Sequence, residues 1–241
     1  MRYLVVTDIH GNAHAFDAVL DDADAQRYDA VLCLGDLVGY GADPSAVIQR
    51  VIALAPIGLI RGNHDKVCAG LEPPVLFNDA ARRSVEWTQQ TLSATERQFL
   101  VDLKQGPQRM GQDIVICHGS PFDEDHYIFD SGDAGRALAA ANAKLCLFGH
   151  THVPAAFATA DDPLVGRDSL FHLPAKGPAL INVGSVGQPR DGDSRAAYGI
   201  VDTGANTVEL RRVAYDIKAA QKNIRDAGLP EWLAARLDKG Q

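Results

Sequence analysis

Histidine, aspartate and asparagine side chains recur in five short clusters, each of which directly follows a run of apolar residues. The clusters are TDIHG, GDLVGYG, RGNHD, CHGS and FGHTH. Their chemically reactive members are Asp8, His10, Asp36, Asn63, His64, Asp65, His118, His150 and His152. A single aspartate could simply cap a helix, and a single histidine is most often an ordinary polar residue. Five such clusters in one chain are hard to explain in that way, and we expect them to form one site.

The chemistry of these side chains favours a metal site. The candidate ligands number seven: Asp8, His10, Asp36, Asn63, His118, His150 and His152. Carboxylate oxygens, imidazole nitrogens and one amide oxygen suit Mn²⁺, Fe²⁺, Zn²⁺ or Ni²⁺ better than Ca²⁺. The absence of a thiolate argues against a closed structural zinc site. The set is too large for one tetrahedral ion and fits two ions that share a carboxylate, an arrangement suited to in-line displacement at phosphorus.

The spacing within two clusters predicts pairs of ligands. In an extended chain, residues i and i+2 point to the same side. Asp8 with His10, and His150 with His152, are therefore expected to present two side chains together. The simplest expectation from this spacing is that His150 and His152 bind the same ion.

The elements that must position these clusters are visible as apolar runs and capping signals. The candidate strands are RYLVVTD, AVLCLGD, IGLIRGN, DIVICHG, KLCLFGH, ALINVGS, YGIVDT and TVELRRVAY. Helix starts are predicted at Asn12 (for a helix through about Arg27), at Asp43 with Pro44, at Asn78, and at the capping box Ser93–Glu96.

Alternation of strand and helix early in the chain predicts βαβ units and a layered α/β sandwich built on mixed sheets. Ligands collect at the carboxyl ends of strands in such sheets, which is where all five clusters lie. The segment Asp161–Pro178 is less regular and is predicted to be a loop or a hairpin. No repeat or linker composition is visible, so residues 1–241 are expected to form a single domain.

Composition limits the classes of partner. The hydrophobic content of 46% and charged content of 22% are ordinary for a soluble globular protein. A net charge of -8 argues against an extended nucleic-acid surface. The longest apolar run, Val51–Ile60, is interrupted by Pro56, and the N-terminal run is too short for a signal peptide, so we expect a cytoplasmic protein without a membrane span. The four cysteines, Cys33, Cys68, Cys117 and Cys146, are expected to be reduced and buried.

The ordered motifs D-x-H, G-D, G-N-H-D, H-G and G-H-T-H, from Asp8 to His152, resemble the calcineurin-like metallophosphoesterase superfamily. The segment INVGSVGQPRDGD, Ile181–Asp193, is similar to the small bacterial phosphoesterases of that superfamily. The resemblance implies a four-layer α/β/β/α sandwich, with two mixed sheets flanked by helices and a dinuclear metal centre. It implies that the first ion is bound by Asp8, His10, Asp36 and His152, and the second by Asp36, Asn63, His118 and His150, with Asp36 bridging. His150 and His152 are thereby assigned to different ions. His64 would act at the leaving group, and Asp65 would orient it.

Two departures from the eukaryotic-type Ser/Thr phosphatases of the superfamily bear on the substrate. This chain has GDLVGYG and GNHD where those enzymes have G-D-x-x-D-R-G and G-N-H-E. The missing arginine removes a bidentate phosphate clamp, which argues against protein phosphatase activity. Arg61, Arg190 and Tyr40 are the candidate substrate-binding residues. The alternatives are a structural ion pair for Arg61 and a bracing role on the metal-bearing loops for Arg190.

The sequence therefore predicts a metal-dependent phosphohydrolase, in first place a phosphodiesterase, in which a metal-bridging hydroxide attacks phosphorus in line. The alternatives are a phosphomonoesterase, a dinucleotide polyphosphate hydrolase, and a non-catalytic scaffold of the same fold. The presence of His64, a histidine outside the ligand set, argues against the scaffold. The expected substrate is a small phosphate ester, with nucleotides among the candidates, and a homo-oligomer is left open. Selectivity is expected from Tyr40, Asp161–Pro178 and the acidic segment Pro121–Asp130, which would repel a polyanion if its carboxylates faced the pocket.

Overall fold

The computed structural model of the protein describes residues 1–158 and 170–241. The strands are β1 (Arg2–Val6), β2 (Ala30–Cys33), β3 (Gly58–Leu59), β4 (Gln108–Met110), β5 (Ile114–Ile116), β6 (Leu145–Phe148), β7 (Ala155–Ala158), β8 (Leu170–His172), β9 (Ala179–Asn182), β10 (Ala196–Asp202) and β11 (Thr207–Val213). The helices are α1 (Ala13–Gln26), α2 (Pro44–Leu54), α3 (Asn63–Cys68), α4 (Asp79–Thr91), α5 (Ala94–Asp102), α6 (Ser131–Ala141), α7 (Ile217–Asp226) and α8 (Glu231–Ala235), followed by a short 3-10 helix at Leu237–Lys239.

The strands form two sheets, and each sheet is mixed. The first has the order β3-β2-β1-β10-β11-β8, and the second has the order β4-β5-β6-β9-β7. In the first sheet β1, β2 and β3 are parallel, whereas β10, β11 and β8 add antiparallel pairs. In the second sheet β5, β6 and β9 are parallel, and β4 and β7 flank them antiparallel. The prediction of two mixed sheets is confirmed.

Apolar side chains divide the molecule into four layers. The core between the two sheets is formed by side chains such as Leu32, Ile116, Leu147, Ile181 and Val201. On the outer face of the first sheet, α1 and α2 pack through Phe16, Val19 and Ile48. On the outer face of the second sheet, α6 packs through Ala137 and Leu138. The order is helices, sheet, sheet, helix, because each sheet buries both of its faces.

Capping side chains define the predicted helix starts. Asn12 accepts a hydrogen bond from the backbone N–H of Ala15 at the start of α1, and Asn78 does the same for α4. Ser93 and Glu96 form the predicted reciprocal capping box at α5. At α2, Pro44 lies at the first helical position as predicted. Asp43 occupies the N-cap position as predicted, but its side chain forms no capping hydrogen bond, because its carboxylate accepts from the side chain of Asn223 instead.

Three strands were not predicted, and all three lie at a sheet edge. They are β4, β7 and β8, each of which has only three or four residues. A short edge strand is not buried along its whole length, so its sequence lacks the continuous apolar run that marks the central strands. In the irregular segment Asp161–Pro178, residues 161–169 lie outside the described part of the chain, and β8 lies in the remainder.

Two further predictions concern the state of the cysteines and the absence of a membrane span. All four cysteines are buried and unpaired, as predicted. Within residues 1–158 and 170–241, no helix has both the length and the apolar character needed to cross a bilayer. The single-domain organisation stays a prediction.

The core between the sheets gives a direct test of the layered packing. Leu32 is fully buried there, and Leu32→Ala is expected to lower the free energy of unfolding by about 2 to 5 kcal/mol through lost burial and a residual cavity. Urea denaturation followed by circular dichroism measures the change.

The matched control for that substitution is Leu76→Ala. Leu76 is 87% exposed, so its truncation should change the unfolding free energy by no more than about 0.5 kcal/mol. Equal effects of the two substitutions would contradict the assigned core.

Candidate metal centre

The five clusters meet because the strands that precede them end at one edge of the sandwich. In the parallel pair β1–β2, Val6 lies opposite Cys33, so the loops that follow run side by side. The backbone N–H of Asp8 donates to Gly35 O at 3.0 Å, and the N–H of His10 donates to Asp36 O at 2.9 Å. In the second sheet the loops after β5 and β6 are joined in the same way. There Gly149 N–H donates to His118 O at 2.8 Å.

The backbone at the clusters is not extended. Five of the predicted ligands have left-handed φ values: Asp8 (53°), His10 (51°), Asp36 (54°), His150 (68°) and His152 (60°). A non-glycine residue in this region costs about 1 to 3 kcal/mol, and such residues concentrate at functional sites. The expectation that side chains at i and i+2 point to the same side assumed an extended chain, and that assumption was wrong. The side chains converge because each residue turns the chain back toward the cluster.

Two glycines allow the loops to approach one another. A Cβ added at Gly62 would lie 2.2 Å from Oδ1 of Asp36. A Cβ added at Gly149 would lie 2.2 Å from Oγ1 of Thr7 and 2.7 Å from Oδ2 of Asp8. No side chain fits at either position, so the carboxylates of Asp8 and Asp36 are packed directly against backbone.

The predicted ligands form two groups that share one residue. The first group is Asp8, His10, Asp36 and His152, and the second is Asp36, His118 and His150. Within each group the potential ligand atoms lie within 4.8 Å of one another. Asn63 joins the second group through Oδ1, which lies 3.2 Å from Nε2 of His118. His150 and His152 fall in different groups, in contrast to the expectation from their spacing.

The Asp36 carboxylate lies between the groups. Its Oδ2 is 3.4 Å from Nε2 of His10 and 3.4 Å from Nε2 of His118. Its Oδ1 accepts a hydrogen bond of 2.8 Å from the backbone N–H of His64. One oxygen is thus fixed by the backbone, and the other faces both groups. Nε2 of His10 lies 3.0 Å from Nε2 of His152, which would be unfavourable unless a proton or a cation lay between the lone pairs.

Backbone carbonyls set the tautomers of the histidines. Nδ1 of His10 contacts Val38 O at 3.1 Å, and Nδ1 of His118 contacts Leu34 O at 2.9 Å. A carbonyl only accepts, so Nδ1 carries a proton in both rings and Nε2 is the nitrogen that faces the cluster. Nδ1 of His152 is held in the same way, 2.6 Å from the backbone oxygen of Gln188.

His150 is held in the opposite orientation. Its Nε2 lies 3.0 Å from the backbone oxygen of Asp125, so Nδ1 is the nitrogen that presents a lone pair. Tyr127 stacks on the ring with centroids 3.8 Å apart and an interplanar angle of 27°. These contacts come from the predicted selectivity segment Pro121–Asp130, which therefore borders the second group.

The electrostatics of the cluster suit a cation. Burial raises the pKa of Asp8 to about 6. Burial also opposes ionisation of Asp36, but nearby histidines, His118 foremost, hold its pKa well below the usual range. Burial lowers the pKa of His10 and His152, so these rings are neutral. Burial acts the same way on His118, but attraction to Asp36 overcomes it and raises the pKa to about 10. That proton supplies the positive charge that the carboxylates require in the chain alone, and a cation would take its place.

His64 lies beside the ligands without joining either group. Its ring is buried against Tyr40 and Phe77, with centroids 4.4 and 4.6 Å away. Nδ1 has no hydrogen-bond partner among residues 1–158 and 170–241, and a Cβ added at Gly39 would lie 2.3 Å from it. Of the two ring nitrogens, Nδ1 is the one that is enclosed in this way. Burial lowers the pKa of His64 to about 4 in the chain alone.

The predicted role of Asp65 requires a correction. Its Oδ1 accepts from the backbone N–H groups of Leu37 and Val38, and its Oδ2 accepts from Gly62 N–H. The carboxylate thus ties the loop after β2 to the start of α3 and does not hydrogen bond to the His64 ring. Asp65 positions the backbone that carries Asp36 and His64.

Arg61 forms the structural ion pair that was the alternative to substrate binding. Its Nε and Nη2 contact the carboxylate of Glu124 at 3.2 and 3.0 Å. Lys66 contacts Glu124 at 3.3 Å and Asp125 at 2.7 Å. These cations pair with the acidic side chains, so Glu124 and Asp125 do not present unpaired charge to a polyanion. The pairs also anchor the loop whose backbone oxygen holds His150.

Arg190 and Tyr40 both lie at the cluster. Nη2 of Arg190 is 3.4 Å from the Tyr40 hydroxyl and 3.0 Å from Oε1 of Gln188. The Tyr40 ring lies 4.7 Å from the ring of His10. Sequence reasoning did not identify Gln188, although it lies in the quoted segment Ile181–Asp193. It also missed Arg236, whose Nη1 donates to Oε1 of Gln188 at 2.7 Å and which carries no recognisable sequence signal.

Comparison with known proteins agrees with this geometry. Residues 1–206 match the calcineurin-like phosphoesterase superfamily domain. The uncharacterized protein MJ0912 of Methanocaldococcus jannaschii is 32% identical over 250 residues, covering 98% of this chain and 97% of that protein. The crystal structure of a metallophosphoesterase from Sphaerobacter thermophilus is 38% identical, with a TM-score of 0.89 over 100% of this chain and 99% of that one.

A solved structure of lower sequence identity shares the fold. The hypothetical protein PH1004 of Pyrococcus horikoshii OT3 superposes with a TM-score of 0.84 at 21% identity, covering 100% of this chain and 98% of that chain. The family resemblance drawn from the five motifs is confirmed, and the two mixed sheets flanked by helices agree with the structure from Sphaerobacter thermophilus. The chain belongs to the calcineurin-like phosphoesterase superfamily.

Proposed function

We propose that this protein hydrolyses small phosphate esters, phosphodiesters first, with two divalent cations bound side by side. The observation that carries this proposal is the position of Asp36 Oδ2, 3.4 Å from a histidine nitrogen of each ligand group. One carboxylate oxygen that faces an imidazole nitrogen of each group is the arrangement required for a bridging ligand.

The ligand assignment follows the two groups. One ion would be held by Asp8, His10, Asp36 and His152, and the other by Asp36, Asn63, His118 and His150. The donor set fits Mn²⁺, Fe²⁺, Zn²⁺ or Ni²⁺ because it combines carboxylate oxygens with neutral imidazoles. Bound ions would supply Lewis acidity toward phosphoryl oxygens and would lower the pKa of an attacking water.

His64 is proposed to act at the leaving group. Its Nδ1 is enclosed by Gly39, so Nε2 is the atom available to a substrate oxygen. The pKa of about 4 makes the ring neutral at pH 7 in the chain alone. The negative charge of a bound phosphate ester acts in the opposite direction and favours the imidazolium. His64 would then donate a proton to the departing alkoxide, as general acids do.

Arg190 and Tyr40 are proposed to bind substrate oxygens, because both lie beside His10 with polar atoms near the cluster. Arg61 is committed to Glu124 and is proposed to act indirectly, through the loop that holds His150. A phosphomonoesterase and a dinucleotide polyphosphate hydrolase are the alternatives, and a non-catalytic scaffold is third. The cytoplasmic location and a homo-oligomer stay predictions.

A metal-reconstituted activity panel tests the proposal. The protein, stripped with chelator and reloaded separately with Mn²⁺, Zn²⁺, Fe²⁺ or Ni²⁺, is assayed on a bis-aryl phosphodiester, an aryl monoester, cyclic nucleotides and a dinucleoside polyphosphate. Hydrolysis of the diester above the aryl monoester is expected. No hydrolysis with any metal would contradict the proposal and favour the scaffold.

Asp36→Asn is expected to reduce the bound metal from two ions per chain to less than one, because the shared carboxylate serves both groups. Asp8→Asn should mainly affect one ion, since Asp8 belongs to one group only. Inductively coupled plasma mass spectrometry of the reloaded, desalted protein measures both.

The matched control is Asp102→Asn, an exposed aspartate at the end of α5. This variant should keep the wild-type metal content. Retention of one full ion in Asp36→Asn would show that Asp36 does not bridge.

His64→Ala is expected to leave the metal content at the wild-type value and to lower kcat by about 10²-fold or more on an ester with a poor leaving group. The loss should be smaller on a p-nitrophenyl ester, because that leaving group needs little protonation. Steady-state kinetics on the two esters measure the difference.

His172→Ala is the control, because His172 is exposed on edge strand β8 and belongs to neither ligand group. Its kinetics should match the wild type. Equal losses on both esters in His64→Ala would remove His64 from leaving-group protonation.

A further inference from the structure

Two arginines near the metal centre share a single hydrogen-bond acceptor. Nη2 of Arg190 donates to Oε1 of Gln188 at 3.0 Å, and Nη1 of Arg236 donates to the same oxygen at 2.7 Å. Gln188 is 2% exposed and Arg236 is 8% exposed. Two guanidinium groups are thus held close together around one neutral oxygen, in a largely buried position.

The charges of this pair are not balanced by carboxylates. Within the described part of the chain, neither guanidinium forms an ion pair, and Nε of both arginines is buried without a hydrogen-bond partner. Asp191, the acidic neighbour of Arg190 in sequence, pairs with Arg212 instead. Burial and the nearby charge of Arg190 lower the pKa of Arg236 to about 10, which leaves it protonated at neutral pH.

A purely structural role does not explain such a pair. Burying an unpaired cation is unfavourable, and placing a second one beside it adds repulsion. The Trp232 ring, 4.1 Å from Cζ of Arg236, offsets only part of this. An anionic group bound between the guanidiniums would balance both charges and remove the repulsion. The arrangement therefore has the character of an anion site.

The position of the pair relates this site to the metal centre. The backbone oxygen of Gln188 holds Nδ1 of His152 at 2.6 Å, and Arg190 contacts the hydroxyl of Tyr40 at 3.4 Å. The charge of Arg190 also reaches His10 and His64, whose pKa values it helps to lower. Gln188 and Tyr40 therefore connect the arginine pair to the ligand groups, on the side of His152. Arg236 follows α8, outside residues 1–206 that match the superfamily.

We propose that Arg190 and Arg236 form a second anion subsite, which binds a phosphate joined by an anhydride bond to the phosphate at the metal centre. This inference rests on the proposed phosphohydrolase function and narrows its substrates to molecules with at least two linked phosphates, such as dinucleoside polyphosphates. An internal phosphorus of such a chain carries two bridging oxygens, as a phosphodiester does. Water adds to that phosphorus, the P–O bond of the anhydride breaks, and the phosphate held by the arginines leaves with the bonding electron pair while one proton is released.

Substrate comparison in Arg236→Gln tests the subsite. The wild type and the variant, loaded with Mn²⁺, are assayed on a dinucleoside tetraphosphate, on inorganic tripolyphosphate, and on bis(p-nitrophenyl) phosphate, which has a single phosphorus. The loss in kcat/KM on at least one polyphosphate should exceed the loss on the aryl diester by about tenfold or more, because a charge-assisted contact to the second phosphate is removed. Equal losses on all three substrates would overturn the subsite.

Arg225→Gln is the matched control for that variant. Arg225 is an exposed arginine of α7 that pairs with Glu231, so the substitution removes the same charge from the same part of the chain. The ratio of kcat/KM between polyphosphate and aryl diester should stay at the wild-type value. An equal shift of this ratio in both variants would assign the effect to net charge and overturn the subsite.

Gln188→Glu provides a test that does not depend on the folding of an arginine variant. A carboxylate at the shared acceptor would pair with both guanidiniums, so the thermal unfolding midpoint should rise while binding of inorganic diphosphate weakens by about tenfold or more. Isothermal titration calorimetry of the full chain with diphosphate, and with monophosphate for comparison, measures the binding. Unchanged diphosphate binding in Gln188→Glu, or equal wild-type affinity for diphosphate and monophosphate, would overturn the proposal.

The two experiments separate this inference from the proposed function. If the wild type hydrolyses no phosphate ester with any metal, the phosphohydrolase proposal fails. Diphosphate binding that depends on Arg236 and on the neutrality of Gln188 would still support the anion subsite in that case. Hydrolysis of esters without any dependence on Arg236 would retain the enzyme and reject the subsite.

Discussion

The buried carboxylate of Asp36 is the group around which the rest of this structure is organised. An ionised carboxylate without water is strongly unfavourable unless cations and hydrogen bonds surround it. The backbone N–H of His64 satisfies one oxygen, and histidines from both sheets face the other. Asp65 in turn ties the loop of Asp36 to α3 through three backbone N–H groups. The sandwich brings strand ends from two sheets to this one oxygen, and a pair of cations would complete it.

Much of this arrangement could be predicted from sequence, because its signals are local. Apolar runs marked the central strands, capping residues marked four helix starts, and the polar clusters at strand ends marked the candidate ligands. The edge strands β4, β7 and β8 could not be predicted, since short, partly exposed strands lack an apolar run. The helices α3, α6, α7 and α8 were also not predicted, although α6 supplies the outer layer of the second sheet.

The side-chain contacts that could not be predicted from the sequence join segments that are far apart in the chain. Asp65 was assigned to orient His64 because the two residues are adjacent in the motif. In the structure, the Asp65 carboxylate instead accepts hydrogen bonds from the loop after β2. The pairing of Arg61 with Glu124 joins residues that are 63 positions apart. Arg236 lies 48 positions from Gln188, and nothing in its sequence surroundings distinguishes it from a surface arginine. The superfamily motifs contain the candidate metal ligands, whereas Arg236 lies at the end of α8, beyond the matched residues 1–206.

The left-handed backbone at the ligands, together with Gly62 and Gly149, limits how this centre could be grafted onto another scaffold. A designer who copied only the seven candidate ligand side chains onto ordinary strand ends would place their donor atoms in the wrong directions, because five of these residues have positive φ values. Gly62 and Gly149 would also have to be kept, since any side chain there would displace the carboxylates of Asp36 and Asp8. A transferable version of this centre would therefore have to include the loop conformations and their glycines, and the identities of the ligand residues alone would not define it.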